Sequence, residues 1–350
     1  MMKIGLIGAT GYTGVELLRI LARHPRQPEV TVITSREEQG RPLTAVFPAL
    51  LTLANYDHLI YEAPELTNLF GRADIFFLAA PHGVALTLVP PLLAQGLRVI
   101  DLSADFRLKD PTVFAEWYQP HPAPELLSEA VYGLPELYAD QIKGARLTAN
   151  PGCYPTCVIL GLAPLLKAGL VAKDSPIIID AASGVTGAGR GALSATSFCE
   201  VQDSFKAYKV VGHRHTPEIE QELFALGGRP FKVAFTPHLA PMNRGILSTI
   251  YVQPELYLTS NKLRDIYLDF YRIAPFVRVR PLGFELQTSE VRGSNFCDLS
   301  LFFDFRSGLI KIISAIDNLS RGASSQAVAN FNLMSGYPET DGLLLPPLKP

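Results

Sequence analysis

The first 34 residues constrain this chain most. An apolar run from Lys3 to Ile7 is followed by glycines at 8, 11 and 14. Next come a stretch from Val15 to Ala22, with apolar positions three and four apart, and a second apolar run from Val30 to Thr34. A two-residue or continuous apolar pattern reads as strand, and the three-and-four spacing reads as helix, so the order is strand, helix, strand. Two strands joined by a helix run parallel, and a parallel sheet must be covered on both faces. Runs at Ile75 to Ala80 and Arg98 to Leu102, with the helical stretch Val84 to Ala94 between them, continue the pattern. The expectation is an α/β fold opening on a Rossmann-type, doubly wound parallel sheet. The stretch from Lys109 to Glu136 is rich in proline and weakly periodic, and reads as an irregular excursion.

After a strand at Arg146 to Ala149 the chain turns through Pro151 and Gly152 into a helical stretch, Tyr154 to Leu166. Strands are expected beyond it at Pro176 to Ala181, Phe231 to Thr236, Ile246 to Val252, Val277 to Arg280, Cys297 to Phe305 and Leu309 to Ile316. Cys297, Leu299, Leu301, Phe303 and Phe305 alternate with Asp298, Ser300 and Asp304, which predicts an antiparallel strand with one buried face. Ser307 and Gly308 supply a hairpin turn. This half reads as a second α+β domain with a mainly antiparallel sheet. A last helix, about Gly322 to Met334, could return to the first domain. The expected division is 1–150 with 317–350, and 151–316.

The seven residues Gly8, Ala9, Thr10, Gly11, Tyr12, Thr13 and Gly14 lie between the first strand and the first helix. Absent side chains there let backbone amides approach a pyrophosphate at a helix N-terminus. The spacing is GxxGxxG and not GxGxxG. At the end of the second strand, where an NAD-selective protein offers a carboxylate to the ribose, stand Ser35 and Arg36; a hydroxyl and a guanidinium favour the additional phosphate of NADP.

Cys153 sits where a strand passes into a helix, and amides at a helix N-terminus stabilise a thiolate. Cys157, one turn on, reads as structural. The proton manager for a cysteine nucleophile is sought in Gly212, His213, Arg214, His215, Thr216, Pro217, Glu218, where Thr216 looks like an N-cap and Pro217 the first helical residue. Glu218 is close enough in sequence to orient one histidine, and the residues alone leave open which histidine acts. The glycine-dense run Ser183 to Arg190 follows a strand and could gather amides and the Arg190 guanidinium around an anion. Arg107 is reached from the carboxyl end of a parallel strand, where α/β folds place ligands. The four cysteines lack zinc-site spacing and are too few for a disulfide scaffold, so no metal is expected and a reducing cytoplasm fits. The formal net charge is -2, without a basic block or a run of about 18 apolar residues, so neither nucleic acid nor a membrane is an expected partner.

These segments resemble the N-acetyl-γ-glutamyl-phosphate reductase family and, more distantly, aspartate-semialdehyde dehydrogenases. The resemblance runs the whole length and is carried by Gly8 to Gly14, Asp101 to Arg107, Asn150 to Thr156, Ser183 to Arg190, His213 to Ile219, Pro237 to Ile246 and Asp317 to Met334. It implies NADPH-dependent reduction of an acyl phosphate in arginine biosynthesis through a thioester on Cys153, with a small-molecule substrate and a homodimer or homotetramer. It further implies a general acid or base in the His213/His215 pair, with His215 favoured. Substrate contacts are implied from Arg107, Asn150, Ser183, Gly184 and Arg190, and cofactor contacts from Ala80, Pro81 and Asn330 besides the glycine turn. Two other readings stay open: a reductase of carrier-linked α-aminoadipyl phosphate in lysine biosynthesis, and an NADP-sensing regulator without catalysis.

Overall fold

The computed structural model describes residues 1–54 and 56–349; Asn55 and Pro350 lie outside the described residues. It divides into two compact units, one built from Met1–Pro151 with Ala323–Leu344, the other from Gly152–Gly322 and the stretch from Leu345 onward.

In the first unit β1 (Lys3–Ile7), β2 (Glu29–Thr34), β3 (Tyr61–Glu62), β4 (Ile75–Leu78), β5 (Arg98–Asp101), β6 (Val131–Tyr132) and β7 (Leu147–Ala149) form one sheet in the order β3-β2-β1-β4-β5-β7-β6. Every neighbouring pair is parallel. All four residues of β4 are buried, as a sheet covered on both faces requires. The crossover helices are Tyr12–Leu21 and Val84–Ala94. Helix Ser325–Met334 packs on Tyr12–Leu21 and Pro135–Lys143 and is buried at all ten positions. A helix buried all round must pair its polar side chains internally. Asn332 Nδ2 accordingly donates to the carbonyls of Glu339 and Asp341, and its Oδ1 lies 2.8 Å from His24 Nε2.

In the second unit β8 (Ile177–Gly184), β9 (Lys206–Ala207), β10 (Val233–Ala240), β11 (Ile246–Val252), β12 (Val277–Val279), β13 (Cys297–Asp304) and β14 (Leu309–Ile316) form a mixed sheet in the order β12-β13-β14-β11-β8-β10-β9. Only β8/β10 and β12/β13 are parallel pairs. Helix Cys153–Lys167 packs on β11 and β14. Its residues from Tyr154 to Leu166 are all buried, and Val158, Ile159, Leu160 and Leu162 are fully enclosed. At about 2 kcal/mol for each such side chain, this burial anchors the helix that begins at Cys153. Truncating any one to alanine should cost about 2–5 kcal/mol.

Three local expectations change. The excursion after Lys109 contains two short helices, Pro111–Trp117, capped by Asp110 on the Thr112 amide, and Glu125–Glu129, besides β6. Helices this short show too few turns for periodicity to register. The polar face of β13 is buried as well, with Asp298 and Ser300 both 0% exposed. Arg278 Nε and Nη2 bond the Asp298 carboxylate at 2.6 and 3.0 Å, and Arg280 Nε lies 3.0 Å from it, so guanidinium groups take the place of water. The helix after the two histidines is Thr216–Gly227, with His215 at the N-cap and Thr216 already helical.

Candidate active site

The first glycine turn is shaped by close approach. Gly8 has φ 82°, and a Cβ there would stand 2.5 Å from the Ala79 carbonyl oxygen, so glycine satisfies both backbone and space. A Cβ at Gly14 would meet Ala9 Cα at 2.7 Å, so the helix starts tight against the turn. Above Gly11, the extended N-cap, nothing lies nearer than 3.9 Å, and no side chain caps Tyr12–Leu21. The first-turn amides are thus available to an anion. At the end of β2, Ser35 is buried and its hydroxyl accepts from the Glu38 amide, whereas Arg36 is exposed. Arg36 makes no hydrogen bond or ion pair among the described residues. Ala80 is half-buried and Pro81 exposed, just beyond β4.

Arg107 is buried at 6% exposure. Its Nε donates to the Asn150 carbonyl at 2.8 Å and its Nη2 to the Leu102 carbonyl at 2.9 Å, so it is positioned without spending its charge on either contact. Asn150 is buried too; its Nδ2 donates to the Ala323 carbonyl and its Oδ1 accepts from Asn330 Nδ2. Asn330 also donates to the Gly133 carbonyl, and its buried Oδ1 has no hydrogen-bond partner. Close to Arg107 in sequence, Asp101 is pushed up to about 7 by burial and by the charge of Asp105.

Cys153 is the first residue of its helix, half-buried, with Gly152 as an extended N-cap. The Gly152 amide donates to Glu218 Oε1 at 2.8 Å, and Glu218 is 1% exposed. Glu218 therefore holds the backbone at the turn that leads into Cys153. A π-helical turn, Ser320–Ser324, brings Gly322 against the same point: a Cβ on Gly322 would lie 2.7 Å from Cys153 Cβ. Only glycine leaves the cysteine its position. Cys157 is fully buried, with Sγ 3.1 Å from Ser314 Oγ, and burial pushes its thiol up to about 11. It is a packed core group.

Tyr154, which follows Cys153, organises the histidines. Its ring meets His213 at 5.7 Å, His215 at 5.9 Å and Phe235 at 5.3 Å, all edge-on. Its hydroxyl donates to the His238 carbonyl and accepts from Tyr208. Burial raises both phenols, that of Tyr208 to about 12, and the charge of Cys153 raises them further, so both stay protonated. His213 is 8% exposed, and burial, reinforced by Lys209 and Arg214, lowers it to about 4. Its Nδ1 accepts from the His215 amide, so neutral His213 carries its proton on Nε2. Ser183 is buried and donates to the Gly184 carbonyl, whereas Arg190 is exposed on the loop beyond.

Sequence reading missed Tyr154, Tyr208 and Gly322. Tyr154 follows Cys153 directly and Tyr208 stands five residues before His213, but an aromatic carries no motif of its own. Gly322 could be recognised only from what lies against it.

Comparison with known proteins places these units. A family model described as the semialdehyde dehydrogenase NAD binding domain matches residues 3–145, and one described as the semialdehyde dehydrogenase dimerisation domain matches residues 153–318. A protein of Desulfotalea psychrophila named N-acetyl-gamma-glutamyl-phosphate reductase is 54% identical over all of both chains. One of the same name from Citrifermentans bemidjiense is 53% identical, again over both full lengths. Among solved structures, aspartate semialdehyde dehydrogenase II from Vibrio cholerae superposes with a TM-score of 0.72 at 16% identity, over 96% of this chain and 98% of that one. The Candida albicans aspartate semialdehyde dehydrogenase solved with NADP gives 0.70 at 14%, with the same coverage. At such identities the structures speak for the fold.

Proposed function

The chain belongs to the semialdehyde dehydrogenase family, and from that premise we propose that it reduces N-acetyl-γ-glutamyl phosphate to N-acetyl-glutamate 5-semialdehyde and phosphate, with NADPH as reductant, in arginine biosynthesis. The observation that carries the reading is Cys153 as the first residue of a helix that has no side-chain cap at its N-cap residue, in a chain whose full-length relatives bear that enzyme's name. Cys153 Sγ attacks the acyl phosphate carbonyl, the C–O bond to phosphate breaks, and a thioester remains. Bound NADPH supplies a hydride to the thioester carbonyl. His213, neutral and with Nε2–H fixed, is suited to donate a hydrogen bond to the oxygen that gains charge. His215, less buried and at the N-cap, is the proton donor as the thiolate leaves. Glu218 keeps the nucleophile turn in place through Gly152.

Arg107, Asn150, Ser183, Gly184 and Arg190 would contact the substrate's phosphate and acyl chain, Ser183 and Gly184 from the end of β8 and Arg190 from the loop beyond. The turn from Gly8 to Gly14 would hold the pyrophosphate, and Ala80, Pro81 and Asn330 the nicotinamide end, where the unpartnered Asn330 Oδ1 suits a carboxamide donor. The unpaired Arg36 beside Ser35 supports NADP over NAD. A homodimer, or a homotetramer built from it, fits the second sheet: Ile179, Ile250 and Ile312 are enclosed, while Ile178 on the other face is 45% exposed beside half-buried Thr249, Tyr251 and Lys311.

The test runs the reaction backwards, following NADP+ and NAD+ reduction with N-acetyl-glutamate semialdehyde and phosphate, with the particle mass measured on the same sample. Phosphate-dependent turnover, faster with NADP+, should fall by about 10⁴-fold in Cys153→Ala. Turnover that survives the substitution would refute the thioester, and a 38.2 kDa particle would refute the oligomer.

A further inference from the structure

The carboxylate of Asp105 does something the reaction does not ask of it. It is 1% exposed, and both its oxygens accept from the Gly83 amide, at 3.0 and 2.8 Å. Burial raises its pKa, while the Leu86 amide also favours its charged form. Gly83 is the N-cap of helix Val84–Ala94, in the left-handed region at φ 90°, and that helix has no cap from its own side chains. Asp105 is thus a cap supplied by another loop, placed where the helix dipole favours an anion. A second tie runs beside it: the Ala104 amide donates to His82 Nδ1 at 3.0 Å. Two hydrogen bonds from adjacent residues to adjacent residues make the segments 79–83 and 102–107 one body.

The ends of that body are informative. At one end the Ala79 carbonyl and Ala80 Cα stand where a side chain on Gly8 would go, so the loop after β4 is seated on the glycine turn. At the other end, two residues beyond Asp105, Arg107 is held by the carbonyls of Leu102 and Asn150. Ser103 bridges the interior, its Oγ donating to Asp101 Oδ2 and accepting from the Asp105 amide. His121 Nε2 lies 3.0 Å from the Asp105 carbonyl oxygen and closes the outer side. A hydrogen-bonded path through Asp105 thus connects the two ends.

We propose that Asp105 is a positioning residue that joins the loop 79–83 to Arg107, so that an anion bound at Arg107 and a dinucleotide bound at the glycine turn strengthen each other's binding. The proposal rests on the reading of Arg107 and of residues 8–14 given above. It makes substrate and cofactor affinities reciprocal through one carboxylate, with no contact between Asp105 and either ligand.

The experiment is calorimetric titration of NADPH with and without inorganic phosphate, for the wild type, Asp105→Asn and Asp105→Ala. Phosphate should tighten NADPH binding to the wild type by about fivefold or more, the lower end of ordinary coupling. In Asp105→Ala that ratio should fall to about one while each ligand still binds. Asp105→Asn keeps one oxygen acceptor and should retain an intermediate ratio; it carries the test if the alanine variant does not fold. A mere helix cap would lower the melting temperature and leave the ratio untouched, so a wild-type ratio in both variants overturns the proposal. A wild type that binds both ligands with a ratio of one overturns it equally. Failure of phosphate to bind the wild type at all would instead remove the reading of Arg107, and the coupling with it.

Discussion

Two helices in this molecule begin alike and sit in different surroundings. Tyr12–Leu21 follows β1 and Cys153–Lys167 follows β7; each has a glycine N-cap, with φ and ψ of -74° and 164° at Gly11 and -67° and 155° at Gly152, and neither has a side-chain cap of its own. Both expose first-turn amides to negative charge. At Gly11 the space above is open and no acidic residue stands in the first turn. At Gly152 the first helical residue is a cysteine, Gly322 roofs it, and Glu218 takes the N-cap amide. On the proposed function, one local device would serve an anion arriving from solution in the first case and one made on the chain in the second. What separates them is the company each helix end keeps.

Three substitutions test this contrast. Gly322→Ala should have the largest effect, because the added methyl meets Cys153 Cβ at 2.7 Å and must displace that residue. Turnover should fall by about 10²-fold, as misplacement by about an ångström does. Wild-type turnover in a folded Gly322→Ala protein would show that the roof carries no function. Gly11→Asp gives the open end a carboxylate of its own. The helix should gain or keep its stability, since Asp is a good N-cap, while NADPH affinity drops by about tenfold through occupied amides and like charge. Equal NADPH titrations for the two proteins would place the pyrophosphate elsewhere. Smallest of all, Glu218→Gln keeps an oxygen for the Gly152 amide and removes a charge near the cysteine. The pH midpoint for alkylation of Cys153 should move down by about half a unit to one unit, because a neighbouring negative charge disfavours the thiolate. An upward shift would mean that Glu218 aids the thiolate and would refute its role as an unfavourable neighbouring charge.

The same contrast marks what could be read from the residues. The glycine turn, the strand-to-helix position of Cys153 and the parallel sheet rest on periodicity and on backbone demands made within a few residues, and β1, β11, β14 and helix Val84–Ala94 begin and end where the pattern places them. The alternation in β13 marked a strand correctly, yet misjudged its polar face, because Arg278 and Arg280 come from elsewhere in the chain to cover Asp298.

The opening strand-helix-strand order, the place of Cys153 at a strand-to-helix turn and the pairing of His213 with His215 were legible in the residues themselves, since each is a property of neighbours along the chain. Tertiary structure decided that Glu218 reaches Gly152 across 66 residues, that His213 is kept neutral in an aromatic enclosure, and that Gly322 must be glycine. These depend on burial and on contacts between distant segments. Desolvation and steric exclusion act through space, and no local pattern of residues encodes them.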